Sequence, residues 1–240
     1  MLVSKYWLSI YNRLAYKSKR SAETDMSPCD FTYTHYVETL KKAKQTHTFY
    51  TFGDFPKKPD ARFILLRHDI DAQVRAAIKM AKIDHDLGVL ATFFVRIHGP
   101  YNPFRQLSYE AIQQIAKLGH EVGLHYEPMF YTKHELPIED TVLFEIDLLS
   151  RMFNIEVKSI APHMPSLSTP KMENIKAKFN DPYLPKFFKE VKYISDSNKR
   201  WREGCMCKWI EKSPKLQIAL HPHWWNGDSL EEYLVKYKVL

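Results

Sequence analysis

The chain has 240 residues, 45% of them hydrophobic and 14% aromatic, enough apolar material for one large core and too much for a disordered chain. Its formal charge of +7 is compatible with nucleic acid, a membrane surface or an anionic ligand, but beyond the N-terminus the basic residues are scattered among acids, which argues against nucleic acid. Three cysteines, Cys29, Cys205 and Cys207, are too few for a disulfide framework and lack the CxxC spacing of a zinc ribbon or redox motif, so a reducing, cytoplasmic compartment is expected.

In chain order, MLVSKYWLSIYNRLAYKSKR has no secretory apolar run, and no stretch reaches the roughly 20 apolar residues of a transmembrane helix. Its Val3, Trp7, Ile10, Tyr11 and Leu14 share one helical side. Such a helix suits peripheral contact with the inner membrane face through residues 1–20, or packing on the domain or on a partner chain. SAETDMSPCD reads as a linker, so residues 1–28 form a basic amphipathic segment and linker, and residues 29–240 one domain. Residues 31–53 suggest a helix and a connecting strand. From Phe63 onward, strands are predicted at FILLRHD, ATFFVRI, EVGLHY, VKSIAPH, KYISDS and LQIALHP, with helices near 73–87, 107–118, 136–153 and 169–179. This β/α alternation implies a mainly parallel sheet, either a closed or nearly closed barrel or an open doubly wound sheet.

The ionisable residues fall at strand ends. Asp69 and Asp71 follow the first apolar run on one face of their strand, with His68 and Ile70 on the other. His125, His163, Asp196, and His221 with His223 end later strands. In parallel α/β architectures that end carries the ligand site. The competing reading of the two aspartates is a structural ion pair with Arg67 or Arg96. Histidines and carboxylates without nearby thiols suit one divalent transition metal, zinc first, with cobalt, nickel, iron or manganese as alternatives. A metal-bound water ionises near neutral pH, a further carboxylate can act as base and a histidine as acid, so the set suits metal-assisted hydrolysis. There is no GxxxxGK[ST] or GxGxxG. In HEVGLH the histidines are five apart, so His120 turns away from the face of His125 and is expected to be structural. Trp224 and Trp225 follow the last histidine and suit stacking on a sugar ring, or closure of the barrel end.

The ordered motifs RHDID, GVLATFFV, GHEVGLHYE, HMPSLS, ISDS and LQIALHP resemble those of the NodB-homology polysaccharide deacetylases, from about Phe63 to Trp225. The divergent pattern is most similar to deacetylase-like proteins of bacterial surface-polysaccharide gene clusters. The resemblance implies an irregular (β/α)7 barrel that removes N-acyl groups from sugars, with Asp69 as catalytic base, Asp71 and His125 as metal ligands and His221 as general acid. Asp196 would orient a site group or contact substrate, and His223, Trp224 and Trp225 would line the substrate side. Two positions depart from the family pattern. Met129 stands where a second metal histidine is usual, and His163 where an arginine usually pairs with the base. Either the third ligand moves to His163 or His223, with His163 adopted here, or the metal site has decayed. The expected partner is an N-acyl sugar or glycan precursor. The alternatives are an inactive carbohydrate-binding or scaffold domain, and a hydrolase of a non-sugar amide. The sequence leaves oligomeric state open.

Overall fold

The first long apolar run becomes strand β2 (Phe63–Ile70), buried at every position, and the rest of the sheet is built around it. The structure is a computed structural model describing Cys29, residues 31–165 and residues 172–225. The expected N-terminal amphipathic helix and the start of the 169–179 helix lie outside these residues. Helix α1 (Tyr33–Lys44) leads into the short strand β1 (Thr48–Tyr50). After β2 come α2 (Val74–Asp86), β3 (Thr92–Val95), α3 (Gln106–Lys117), β4 (Glu121–Tyr126), α4 (Pro128–Lys133), α5 (Ile138–Phe153) and β5 (Ile160–Pro162). Then follow α6 (Glu173–Lys176), α7 (Pro185–Phe188), β6 (Lys192–Ser195) and β7 (Lys215–Leu220). Where a helix was expected over 169–179, the described part is the single turn α6. Two short helices escaped the periodicity because they are too short to show one, although each begins with a proline, the residue whose fixed φ suits a first helical position.

Every strand pairing is parallel, in the order β5-β4-β3-β2-β7-β6. Strand β1 pairs with the first half of β2 (Thr48↔Phe63) and β3 with its second half (Arg67↔Thr92), so the two share one side of β2 while β7 holds the other. Among the described residues no pairing joins β5 to β6, and the sheet curls between these two edges into the irregular (β/α)7 barrel. The curl decides against an open doubly wound sheet, because residues from the ends of β5 and β7 both come within 4 Å of Asp71.

Alternation along β2 sorts its side chains. Ile64, Leu66 and Ile70 face the helices, in the main core. Phe63 and Leu65 point inward, packed with Phe52, Phe94 and Phe187. These aromatics meet edge to face, Phe52 and Phe187 at 5.0 Å and Phe55 and Phe63 at 5.2 Å, and plug the bottom of the barrel. Higher on the same inner face stand Arg67 and Asp69, so the barrel interior is dry below and ionic at its C-terminal mouth. Gly123 keeps β4 close to its neighbours there, since a Cβ would lie 2.7 Å from both the Phe94 ring and the Ser159 carbonyl.

One polar side chain of β2 faces the helices. His68 stacks on Phe93 at 4.3 Å, and its Nε2 lies 2.9 Å from Asp84 Oδ2 of α2. Tyr36 of α1 donates its hydroxyl to Asp84 Oδ1 at 2.5 Å. All three residues are fully buried, so Asp84 joins β2, α1 and α2 through one carboxylate. Asp84→Ala strands both partners and is expected to cost roughly 3–5 kcal/mol in denaturant unfolding, against roughly 1 kcal/mol for Tyr36→Phe, which removes one donor. His120 also sits on the helix side, with its Nε2 donating to the Ala81 carbonyl at 2.9 Å.

Candidate active site

At the mouth, the end of β2 presents Asp69 inward, 4% exposed. Arg67, two residues earlier and therefore on the same face, donates from Nε to Oδ1 at 3.0 Å and from Nη2 to Oδ2 at 2.5 Å. Its guanidinium lies over the rings of Phe94 and Tyr183, at 5.4 and 5.5 Å. Burial alone would raise the Asp69 carboxyl, but the Arg67 charge beside it, then that of His125, holds it below the usual carboxylate range. The ion pair set against a site in the sequence reading is thus part of the mouth, and it supplies the arginine that the resemblance places at the position of His163.

Asp71, just beyond β2, is surrounded by three imidazoles. Its Oδ1 lies 3.3 Å from His125 Nε2 and 3.7 Å from His163 Nε2, and its Oδ2 lies 3.6 Å from His221 Nε2. Burial favours the neutral acid, but the adjacent His125 imidazole, then His221 and His163, hold the carboxyl well below its ordinary value. His125 Nδ1 is 2.9 Å from the Ala161 carbonyl, which can only accept, so Nδ1 carries a proton and Nε2 is the ring atom turned to Asp71 Oδ1. Asp71 Oδ1 is buried, and among the described residues no hydrogen bond of ordinary geometry reaches it. Nε2 and Oδ1 face one another across 3.3 Å, a spacing that suits either the proton of a charged ring or a cation held between the two atoms. Burial pushes His163 down to about 4, so it offers a neutral imidazole at neutral pH. Asp71, His125 and His163 are the residues of the mouth that could hold a divalent metal, each histidine reaching the same Asp71 oxygen, with the Ala161 carbonyl fixing the ring of His125. Behind His163, Glu127 accepts from Arg96 Nε at 3.1 Å and Nη2 at 2.7 Å, and Arg96 Nη1 donates to the Asp71 carbonyl at 3.0 Å, bracing the turn after β2.

Across the mouth, His221 follows β7. Its Nδ1 donates to Asp196 Oδ1 at 2.6 Å, and Asp196 also accepts from the His221 backbone N–H and, at 2.8 Å, from Trp225 Nε1. Burial would lower the imidazole, but the Asp196 charge and hydrogen bond outweigh it and raise His221 to about 9. It is charged at neutral pH, with Nε2 turned toward Asp71 and, at 4.0 Å, toward Asp69. In metal-free protein the His221 ring is expected to titrate near pH 9 by NMR, and Asp196→Asn to move that titration to lower pH. This folded-state pKa lies above the unfolded value near 6.5, so the stabilisation it gives is full below about pH 6.5 and lost as pH rises through about 9.

A cavity of about 730 Å³ opens over these groups, lined further by Tyr183, Tyr193, Arg202 and Trp224. Trp224 thus lines the cavity. Asp196 and Trp225 are fully buried and His223 is 5% exposed, and none of them lines the cavity. Asp196 takes the first of its two expected roles, orienting a site group, while the expected substrate contacts of His223 and Trp225 are corrected: Trp225 sits with Asp196 behind His221, and His223 packs against Trp224 with ring centroids 4.0 Å apart. Met129 lies at the rim, 52% exposed. Of the two histidines considered for the third ligand, His163 reaches Asp71. Tyr183 and Tyr193 gave no sequence signal, since neither stands at a motif position.

No protein-family model matches the chain, and no curated protein is detectably similar to it. Solved structures are. A mutant of a CE4 family pseudoenzyme, whose wild type is from Bacillus anthracis, is 16% identical with a TM-score of 0.50, the match covering 78% of this chain and 68% of that one. A family 4 carbohydrate esterase from Bacillus anthracis is 18% identical, with a TM-score of 0.46 and coverage of 85% and 82%. The chitin deacetylase of the fungal pathogen Colletotrichum lindemuthianum is 15% identical, with a TM-score of 0.45 and coverage of 72% and 80%. With its parallel curled barrel and its polar groups gathered at the C-terminal mouth, the chain has the polysaccharide deacetylase fold of the CE4 family.

Proposed function

We propose that this chain is a metal-dependent hydrolase that removes an N-acyl group, acetyl first among them, from a sugar of a cell-surface glycan precursor. The observation that carries the reading is the convergence of two imidazoles on one carboxylate oxygen, His125 Nε2 at 3.3 Å and His163 Nε2 at 3.7 Å from Asp71 Oδ1. Asp71, His125 and His163 would hold the metal, which supplies Lewis acidity and an acidified water. Asp69, ionised at neutral pH, takes the proton of the attacking water. Arg67 donates once to each Asp69 oxygen, and Oδ2 also faces His125 and His221 across the mouth at 3.8 and 4.0 Å. His221, kept protonated by Asp196, gives its Nε2 proton to the departing amine. Overall, amide and water yield a carboxylate and an amine. Tyr183, Tyr193 and Trp224 offer aromatic faces to a sugar ring.

A second reading, a glycan-binding domain without turnover, draws on Met129, a soft thioether at the rim where the family pattern has a ligand histidine. Acetate release from N-acetylhexosamine oligosaccharides by the zinc-, cobalt- or nickel-loaded protein decides between them. Release that disappears in Asp71→Ala, together with one equivalent of bound metal, supports hydrolysis. Binding of the oligosaccharides with no acetate released by any metal form would overturn it in favour of the binding domain.

A further inference from the structure

The three cysteines, unremarkable in sequence, come together in space. Cys29 Sγ lies 3.5 Å from Cys207 Sγ, and His35 Nε2 lies 3.2 Å from Cys205 Sγ. The four ligand atoms are all within 4.8 Å of one another. We propose that Cys29, His35, Cys205 and Cys207 form a second metal centre, a structural zinc site of the Cys3His type that ties the segment entering α1 to the loop between β6 and β7.

The geometry suits that ion. A tetrahedral zinc with Zn–S near 2.3 Å and Zn–N near 2.0 Å sets its ligand atoms roughly 3.5–3.8 Å apart, close to the spacing here. One disulfide would join two of the sulfurs and leave the third thiol and the imidazole unexplained, whereas a single cation uses all four. Local structure aims each ligand. The Thr32 hydroxyl caps α1 on the His35 N–H and fixes the first turn that carries the imidazole. Met206, fully buried between Cys205 and Cys207, anchors the turn that presents the flanking thiols. Burial raises the thiols of Cys205 and Cys207, so in metal-free protein they are neutral, and a divalent cation would displace their protons. Three thiolates and an imidazole favour zinc over harder ions and leave no position for water, which makes the site structural rather than catalytic.

The location gives the site a consequence. Phe31, between Cys29 and His35, stacks on Trp201 at 5.9 Å and meets the edge of Trp225 at 5.4 Å. Trp225 donates to Asp196, so the clamp braces the wall behind His221.

The test uses the full chain, purified untagged under reducing conditions, with zinc measured by elemental analysis and the protein also loaded with cobalt. The expected result is a thiolate-to-cobalt charge-transfer band that persists in Asp71→Ala and disappears in Cys207→Ser and in Cys29→Ser. Each cysteine variant should also hold one zinc fewer than wild type. Because Asp71→Ala isolates the thiol site, its outcome is independent of the proposed hydrolysis. Should a cysteine variant fail to fold, Asp71→Ala with its thiols intact still decides: titrating those thiols with a mercurial should release one zinc equivalent. Absence of the charge-transfer band, unchanged zinc in the cysteine variants, or thiol titration without zinc release would overturn the site.

Discussion

His163→Ala is expected to shed the active-site metal and abolish acetyl release, while His223→Ala keeps both. His163 Nε2 stands 3.7 Å from the Asp71 oxygen that also faces His125, whereas His223 lies outside the cavity against Trp224. Removing a direct ligand should weaken zinc by more than the roughly 10- to 100-fold typical of losing an outer hydrogen-bond partner. Isothermal titration of zinc into demetallated protein separates this event from binding at the thiol cluster, which His163→Ala leaves intact. Wild-type affinity in His163→Ala, or equal losses in the two variants, would remove His163 from the ligand set and return the question to the exposed Met129.

The barrel and most of its mouth were legible because they follow from alternation. A strand that is apolar on both faces and ends in Asp69 and Asp71 has few places to put its carboxylates except a polar mouth, and the same logic located His125 and His221. What escaped the sequence depends on how distant segments meet. Arg67 was read as competing with a site at Asp69, yet the strand geometry that puts Asp69 inward puts Arg67 inward as well, so the ion pair and the site are one structure. Trp225 follows the last motif, but depth along a loop is invisible to spacing, and it lies beneath the surface that substrate would touch. The cysteine cluster was missed for the same reason: Cys29 and Cys207 are 178 residues apart, and no local spacing announces a site assembled from the two ends of the domain.

Arg67→Met is expected to cost roughly 3–5 kcal/mol in stability and to shift activity toward higher pH, two effects with one cause. The Arg67 and Asp69 side chains are 2% and 5% exposed, so removing the guanidinium leaves a carboxylate with little water to solvate it. Arg67 is the strongest influence lowering the Asp69 carboxyl, and without it burial raises that group. The pair's contribution to wild-type stability is present above the unfolded carboxylate value near 3.9 and lost as pH falls through the lower folded value. In Arg67→Met that stabilisation disappears at neutral pH, and the acid limb of acetyl release moves upward because Asp69 must still ionise to take a proton. Asp69→Asn should lower kcat by about 10²- to 10⁴-fold, as expected for loss of a general base, and should also destabilise the fold by leaving Arg67 without its carboxylate. The double variant Arg67→Met/Asp69→Asn removes both charges, so it should recover much of the stability and none of the activity. Unfolding free energies and pH–rate profiles of the four proteins measure this. If Arg67 merely filled the barrel, Arg67→Met would lower stability without moving the acid limb, and the penalties of the single variants would add in the double. Coupling in both measurements at once is what a base held ionised by its own strand requires.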